Sequence, residues 1–142
     1  MNFKRFKITH RKENTLLSIA IGIIYLWFGA LKFFPELSPA EDLAKRTIQL
    51  LTFDIIPSSI SILILAFIEV VIGLCLIFNF YHKQIVKIAM VHLVFTFSPL
   101  FLFTEESFTI SILTPTLLGQ YIGKNLIIIA ALFTLLKEKV KA

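Results

Sequence analysis

A single cysteine, Cys75, stands among 142 residues, and that scarcity argues against whole classes of chemistry. No intramolecular disulfide, C-x-x-C dithiol or cysteine-held cluster can form. This counts against a quinone-linked thiol oxidoreductase of the disulfide-forming type, and Cys75 reads as a small core residue. Histidine is almost as scarce. His10 and His82 fall outside or at the inner edge of the apolar segments, so His92 has no second histidine at its depth for two-ligand haem. No His/Asp/Glu cluster has metal-ligand spacing, so no metal is expected, and no glycine-rich phosphate loop is present. Charged residues make up only 16% of the chain.

Apolar side chains fill the remainder. Hydrophobic residues are 57% of the total, with 15 Phe, and mean hydropathy is +0.86. Soluble domains lie nearer ~45–50%, so a membrane protein is expected, and the length suits one compact helical domain. Four apolar segments, 16–34, 58–80, 84–103 and 119–136, each approach the ~20 residues a helix needs to cross a bilayer. The first is longer than a signal-peptide core of ~7–15 residues and lacks a small-x-small cleavage site. It reads as a retained span with no cleaved signal peptide.

Lys and Arg set the expected orientation. Lys4, Arg5, Lys7, Arg11 and Lys12 crowd the N-terminus, Lys83 and Lys87 the short turn, and Lys137, Lys139 and Lys141 the C-terminus. The first long connection holds only Lys45 and Arg46, and the second holds Glu105 and Glu106 instead. By the positive-inside rule both termini, as basic tails 1–14 and 137–142, are cytoplasmic and both long loops face outward. Basic residues beside spans attract anionic lipid, so these charges require no nucleic-acid partner. In the first outer loop, Ser38-Pro39-Ala40-Glu41 reads as a capping box with proline at the first helical position. The helix it starts places Leu43, Thr47, Leu50 and Leu51 opposite Glu41, Lys45 and Gln49, on the membrane surface or across the bundle mouth. The second loop, 104–115, is apolar enough to be expected back over that mouth.

Each span carries a stripe of small or polar residues: Ser18, Gly22, Tyr25, Gly29 and Lys32 on the first; Ala66, Glu69 and Gly73 on the second. Ala89, His92, Thr96 and Pro99 follow on the third, and Gln120, Lys124, Ile127, Ala131 and Thr134 on the fourth. Small residues let helices approach closely in lipid, which assigns Gly22, Gly29 and Gly73 to packing. Four inward stripes predict an all-α, antiparallel four-helix bundle with a polar interior. Glu69 is the sharpest anomaly, because a mid-span carboxylate costs roughly 2.5–3.5 kcal/mol to insert. At ~1.5 Å per residue it lies ~16 Å below the outer entry of its span. Lys124 is its expected partner, directly or through a water. Lys32 is expected to snorkel outward or to meet Glu36. His92 lies near Glu69 in depth and is expected to make an interhelical hydrogen bond. Tyr25 and Trp27 read as packing and interfacial residues.

Trp27-Phe-Gly-Ala-Leu-Lys-Phe-Phe-Pro35, Ile68-Glu-Val-Val-Ile-Gly-Leu74 and Gly119-Gln-Tyr-Ile-Gly-Lys-Asn-Leu126 resemble the DoxX family of small four-helix membrane proteins. The likeness spans roughly residues 14–136 and maps onto Gly29, Lys32, Glu69, Gly73, Lys124 and Asn125; His92 and the Pro115 loop lie outside it. The resemblance implies a bacterial cytoplasmic membrane and a redox-linked or accessory role beside quinone-linked oxidoreductases. The expected function is thus an accessory or small subunit of such a complex, with a partner subunit or a second copy. It would hold a lipophilic ligand such as a quinone among Glu69, Lys124, Lys32, His92, Asn125 and Gln120. The alternatives are a small proton-coupled exporter and a purely structural or assembly protein.

Overall fold

The computed structural model of the chain describes residues 3–38 and 40–137. Among these residues the regular structure is helical: α1 (Phe3–Leu31), α2 (Glu41–Leu51), α3 (Ser58–Phe78), α4 (His82–Thr96), α5 (Ser98–Leu102), α6 (Thr104–Ser107), α7 (Leu117–Gly123) and α8 (Asn125–Lys137). Three stretches of 21 residues are long and apolar enough to cross a membrane: Ser58–Phe78, His82–Leu102 and Leu117–Lys137. The apolar part of α1, Thr15–Leu31, is shorter. The expected tail 1–14 is not separate, since α1 already runs from Phe3. That segment contains no Gly or Pro to stop a helix. Residues 138–142, most of the expected C-terminal tail, lie outside the described residues.

Local chemistry explains where the helices stop. α3 closes with Asn79 at φ 60° while the Phe80 N–H returns to the Cys75 carbonyl at 2.9 Å. This is a Schellman stop in which Asn tolerates the left-handed position. Pro99 has no N–H to offer the Phe95 carbonyl, and the Ser98 hydroxyl donates to that carbonyl instead, at 2.7 Å. The membrane-length stretch therefore divides into α4 and α5 without stranding a backbone acceptor. The last stretch divides at Lys124, after Gly123, a weak helix former.

α1 packs most extensively on α3, and the α3–α4, α4–α8 and α1–α8 contacts link the remaining long helices. Their shared core holds Ile21, Tyr25, Ile72, Leu76, Val86, Ala89, Leu93, Leu132 and Leu135. Glycine sets the α1–α3 separation. A Cβ on Gly73 would sit 2.6 Å from the Leu26 nitrogen and 2.7 Å from the Gly22 carbonyl oxygen. A Cβ on Gly29 would sit 2.8 Å from the Glu69 Cβ. The outward faces, including Ile23, Trp27, Phe67, Val91, Val94 and Leu126, are exposed and apolar, as lipid-facing surfaces are.

Four local expectations change. The fourth stripe is rotated: Gln120, Lys124, Ile127 and Thr134 are exposed, while Ile122, Leu132 and Leu135 are buried and Ile128 packs on the core. The stripe is already outward at Gln120, before the break at Lys124, so it lies on the exposed face of both helices. The larger apolar set at 128, 132 and 135 then fills the space beside α4. Ser38 makes no capping bond to α2; the Glu41 carboxylate instead accepts from the Glu36 N–H at 3.0 Å, and Pro39 lies outside the described residues. On α2 itself Glu41 is buried with Leu43 and Thr47, whereas Leu50 and Leu51 are exposed, because Glu41 anchors the incoming chain. The 104–115 loop buries Ser107 but leaves Ile110 and Leu113 at 96% and 90% exposure. Its tip is closed on itself by Thr109 N–H to Thr114 O and by Thr114 Oγ1 to Ser111 O, both 2.9 Å, so its polar groups need nothing from the mouth.

The glycine seam yields a direct expectation. Gly73→Ala should cost about 1–3 kcal/mol through overpacking against backbone, read as a lower unfolding midpoint in detergent. Gly123→Ala, with nothing within 4 Å of the added Cβ, should be neutral or mildly stabilising. Equal midpoints for wild type and Gly73→Ala would refute the close approach.

Candidate functional site

At the Gly29 crossing α1 and α3 bring together groups that neither could bury alone. Along this seam Ser18 donates to the Leu76 carbonyl at 2.9 Å, Gly22 faces Gly73, and Gly29 faces Glu69. Each side chain leans toward the N-terminus of its own helix. For Lys32 that direction runs back along α1 toward Gly29, and for Glu69 it runs back along α3 toward the Lys32 level. The two therefore converge: Lys32 Nζ donates to Glu69 Oε2 at 2.5 Å, with both side chains 10% exposed. A second Lys32 hydrogen goes to the Phe28 carbonyl at 3.4 Å, and the third has no partner among the described residues. The expected snorkelling of Lys32, or its pairing with Glu36, does not occur.

α4 supplies the other side of the carboxylate. His92 Nε2 lies 3.4 Å from Glu69 Oε1, and His92 Nδ1 is 3.1 Å from the Tyr25 hydroxyl. That hydroxyl is also 3.1 Å from the Ala89 carbonyl. The Nε2 approach to the carboxylate is electrostatic and not a hydrogen bond. When Tyr25 donates to Nδ1, the imidazole is neutral; when it donates to Ala89, Nδ1 can carry its own proton and donate to Tyr25. The Tyr25 hydroxyl thus has two acceptors within reach on α4, Nδ1 of His92 and the Ala89 carbonyl, whereas His92 Nε2 is buried without a hydrogen-bond partner among the described residues. The expectation of an interhelical hydrogen bond for His92 agrees with this arrangement.

These groups form the polar floor of a cavity of about 200 Å³. Phe28, Leu65, Leu93 and Ile128 supply apolar wall, and Leu43, Ala44 and Ile48 of α2 cover it. Asn125 also lines it and reaches Thr96 Oγ1 at 3.4 Å. Tyr121 contributes its ring, edge-on to Phe28 at 6.1 Å.

Of the residues expected at a polar site, Lys32, Glu69, His92 and Asn125 converge on this cavity. Lys124 and Gln120 do not. Both are exposed and line a separate surface groove with Phe108, Pro115 and Leu126. Lys124 is therefore not the partner of Glu69. Depth measured along the fourth span favoured it, but the face of that helix turns it outward. Tyr25 belongs to the site although it reads as packing from sequence; its place on the same stripe as Gly29 and Lys32 was the available signal. Thr96 was legible in the same way, as a member of the His92 stripe, whereas Tyr121 carried no such signal. Among the described residues no three His, Cys, Asp or Glu side chains converge as a metal site would require.

Comparison with known proteins finds no matching family model, no matching curated sequence and no matching solved structure.

The ion pair makes an unequal set of mutants the expected result. Glu69→Leu or Lys32→Met alone leaves an uncompensated buried group and should cost about 3–5 kcal/mol. The combined Lys32→Met, Glu69→Leu variant should recover most of that loss. Denaturant unfolding in one detergent measures all three; a double variant as unstable as the sum of the singles would contradict a coupled pair.

Proposed function

We propose that the chain is a DoxX-like multi-pass protein of a bacterial cytoplasmic membrane, an antiparallel four-helix bundle with both termini cytoplasmic. In this reading it is an accessory or small subunit of a quinone-associated redox complex, beside a partner subunit or a second copy. Its cavity holds a neutral lipophilic ligand, a quinone being the leading candidate. The observation that carries the reading is the cavity itself, with apolar walls over a charge-compensated floor of Lys32, Glu69 and His92.

The chemistry favours neutral, acceptor-bearing ligands. Lys32 and Glu69 cancel each other's charge, so an ionic guest would enter an apolar space without a counter-ion. The remaining Lys32 hydrogen and the Asn125 amide are donors suited to ring carbonyl oxygens. About 200 Å³ lies below the ~300–1,000 Å³ of drug-sized pockets, so a ring-sized headgroup fits and an isoprenoid tail must leave between helices. Ile24 and Tyr121, both partly open to the outside, border the α1–α7 side where such a tail could exit. The exporter alternative is disfavoured because Lys32 already occupies Glu69 and repels cations.

The test combines lipid-extract mass spectrometry of gently purified protein with quinone titration. The expected result is a co-purifying isoprenoid quinone and a stabilisation approaching about 2.7 kcal/mol at a hundredfold excess over Kd, weakened in Tyr121→Ala. Neither a bound redox lipid nor any stabilisation by quinone would overturn the reading.

A further inference from the structure

The roof of the cavity rests on α3 and α5 through apolar packing, with little polar bonding to the other helices. α2 turns Leu43 and Thr47 inward and lines the space with Ala44, Ile48 and Leu51. At 11 residues it is shorter than the ~12–15 below which an isolated helix is marginal in water, so its stability comes from what it rests on. The chain enters and leaves it through left-handed backbone: Glu36 at φ 68° before it, and Phe53 and Asp54 at φ 52° and 59° after it. For a residue as bulky as Phe this is an outlier that the surroundings must hold in place.

One side chain makes the polar tie between α2 and the other helices among the described residues. Arg46 donates both arms of its guanidinium to Glu106, at 2.6 and 2.7 Å, and lies 4.7 Å over the Phe103 ring. Arg46 holds the Glu106 carboxyl below the usual carboxylate range, so the pair is charged throughout the neutral range. Both side chains are nevertheless 44% exposed, and exposed pairs are weak and screened by salt. The second ion pair of α2, Lys45 with Glu41, is internal to the helix and travels with it. Leu50, Phe53 and Ile55 point away from the cavity and are exposed. α2 therefore presents apolar side chains on both sides, one to the cavity and one suited to a lipid surface.

We infer that α2 is a hinged lid over the cavity, latched shut by the Arg46–Glu106 pair. It pivots at Glu36 and at Phe53–Asp54, and in its open position lies on the outer membrane surface, exposing the Lys32–Glu69–His92 floor. This gives the cavity a regulated entrance from the outer side. Its purpose rests on the ligand-binding reading above, but the motion itself is measurable with no ligand present.

Thr96→Cys places a thiol in the cavity wall while Cys75, on the far part of α3, serves as an internal control. A charged, membrane-impermeant maleimide is applied to the full chain in lipid nanodiscs, and modification at each thiol is followed by peptide mass spectrometry. Breaking the latch with Glu106→Gln, or screening it at ~1 M salt, should speed labelling at position 96 about two- to fivefold, the scale an exposed pair supports. Cys75 should be unaffected, salt should lose its effect in Glu106→Gln, and the charge-swapped Arg46→Glu, Glu106→Arg pair should restore slow labelling. Labelling at 96 that ignores both the pair and salt overturns the lid, as does a parallel rise at Cys75, which reports general loosening. Failure of quinone to bind would leave these rates as stated, so the two readings fail separately.

Discussion

Lys32 and Glu69 face each other across the α1–α3 seam, and the surrounding structure depends on that meeting. Taking either charge out of water alone costs several kcal/mol; taken together, with His92 on the second carboxylate oxygen, they are compensated inside apolar walls. The meeting requires that two helix backbones approach far more closely than side chains normally permit. Gly22, Gly29 and Gly73 provide that approach, and a Cβ at any of them would collide with the opposite helix. Helix packing and charge compensation are thus one constraint: the glycine seam without the pair would bury two uncompensated charges, and the pair without the seam could not form.

Much of this was legible in the residues. The membrane-length segments, the short helix after the first span and the inward stripes of the first three spans all follow from hydropathy and helical spacing. Glu69 announced itself as a carboxylate in an apolar run. The identity of its partner did not, because two lysines lay on candidate faces and the choice turned on three-dimensional particulars. Side chains on α1 lean opposite to those on α3, which lowers Lys32 to Glu69. The face of the last two helices that carries Lys124 and Gln120 turns outward, leaving Ile122, Leu132 and Leu135 to the interior. Neither effect has a period that a single sequence displays. The outward tip of the 104–115 loop was hidden for a related reason: its Ser and Thr groups satisfy one another locally, so its apolar residues are not drawn inward.

The site joins a fixed part to a part that can move. Glu69, His92 and Tyr25 sit on long helices that share the main core, and Lys32 lies in the turn directly after α1. The roof is a short helix resting on apolar contacts and one exposed ion pair. Such a division suits a binding site whose recognition chemistry stays in place while its entrance changes. The same division separates structural from functional effects of mutation. Changes on the seam act through the fold, whereas changes at Arg46 or Glu106 act on access.

Glu69 is paired with Lys32 and not with Lys124. Solid-state NMR of the chain in bilayers, with lysine Nζ and glutamate Cδ labelled, measures this through dipolar coupling between the two nuclei. The expected result is a strong Glu69 coupling that vanishes in Lys32→Met and persists in Lys124→Met. A coupling that survives loss of Lys32, or one that disappears with loss of Lys124, would contradict it.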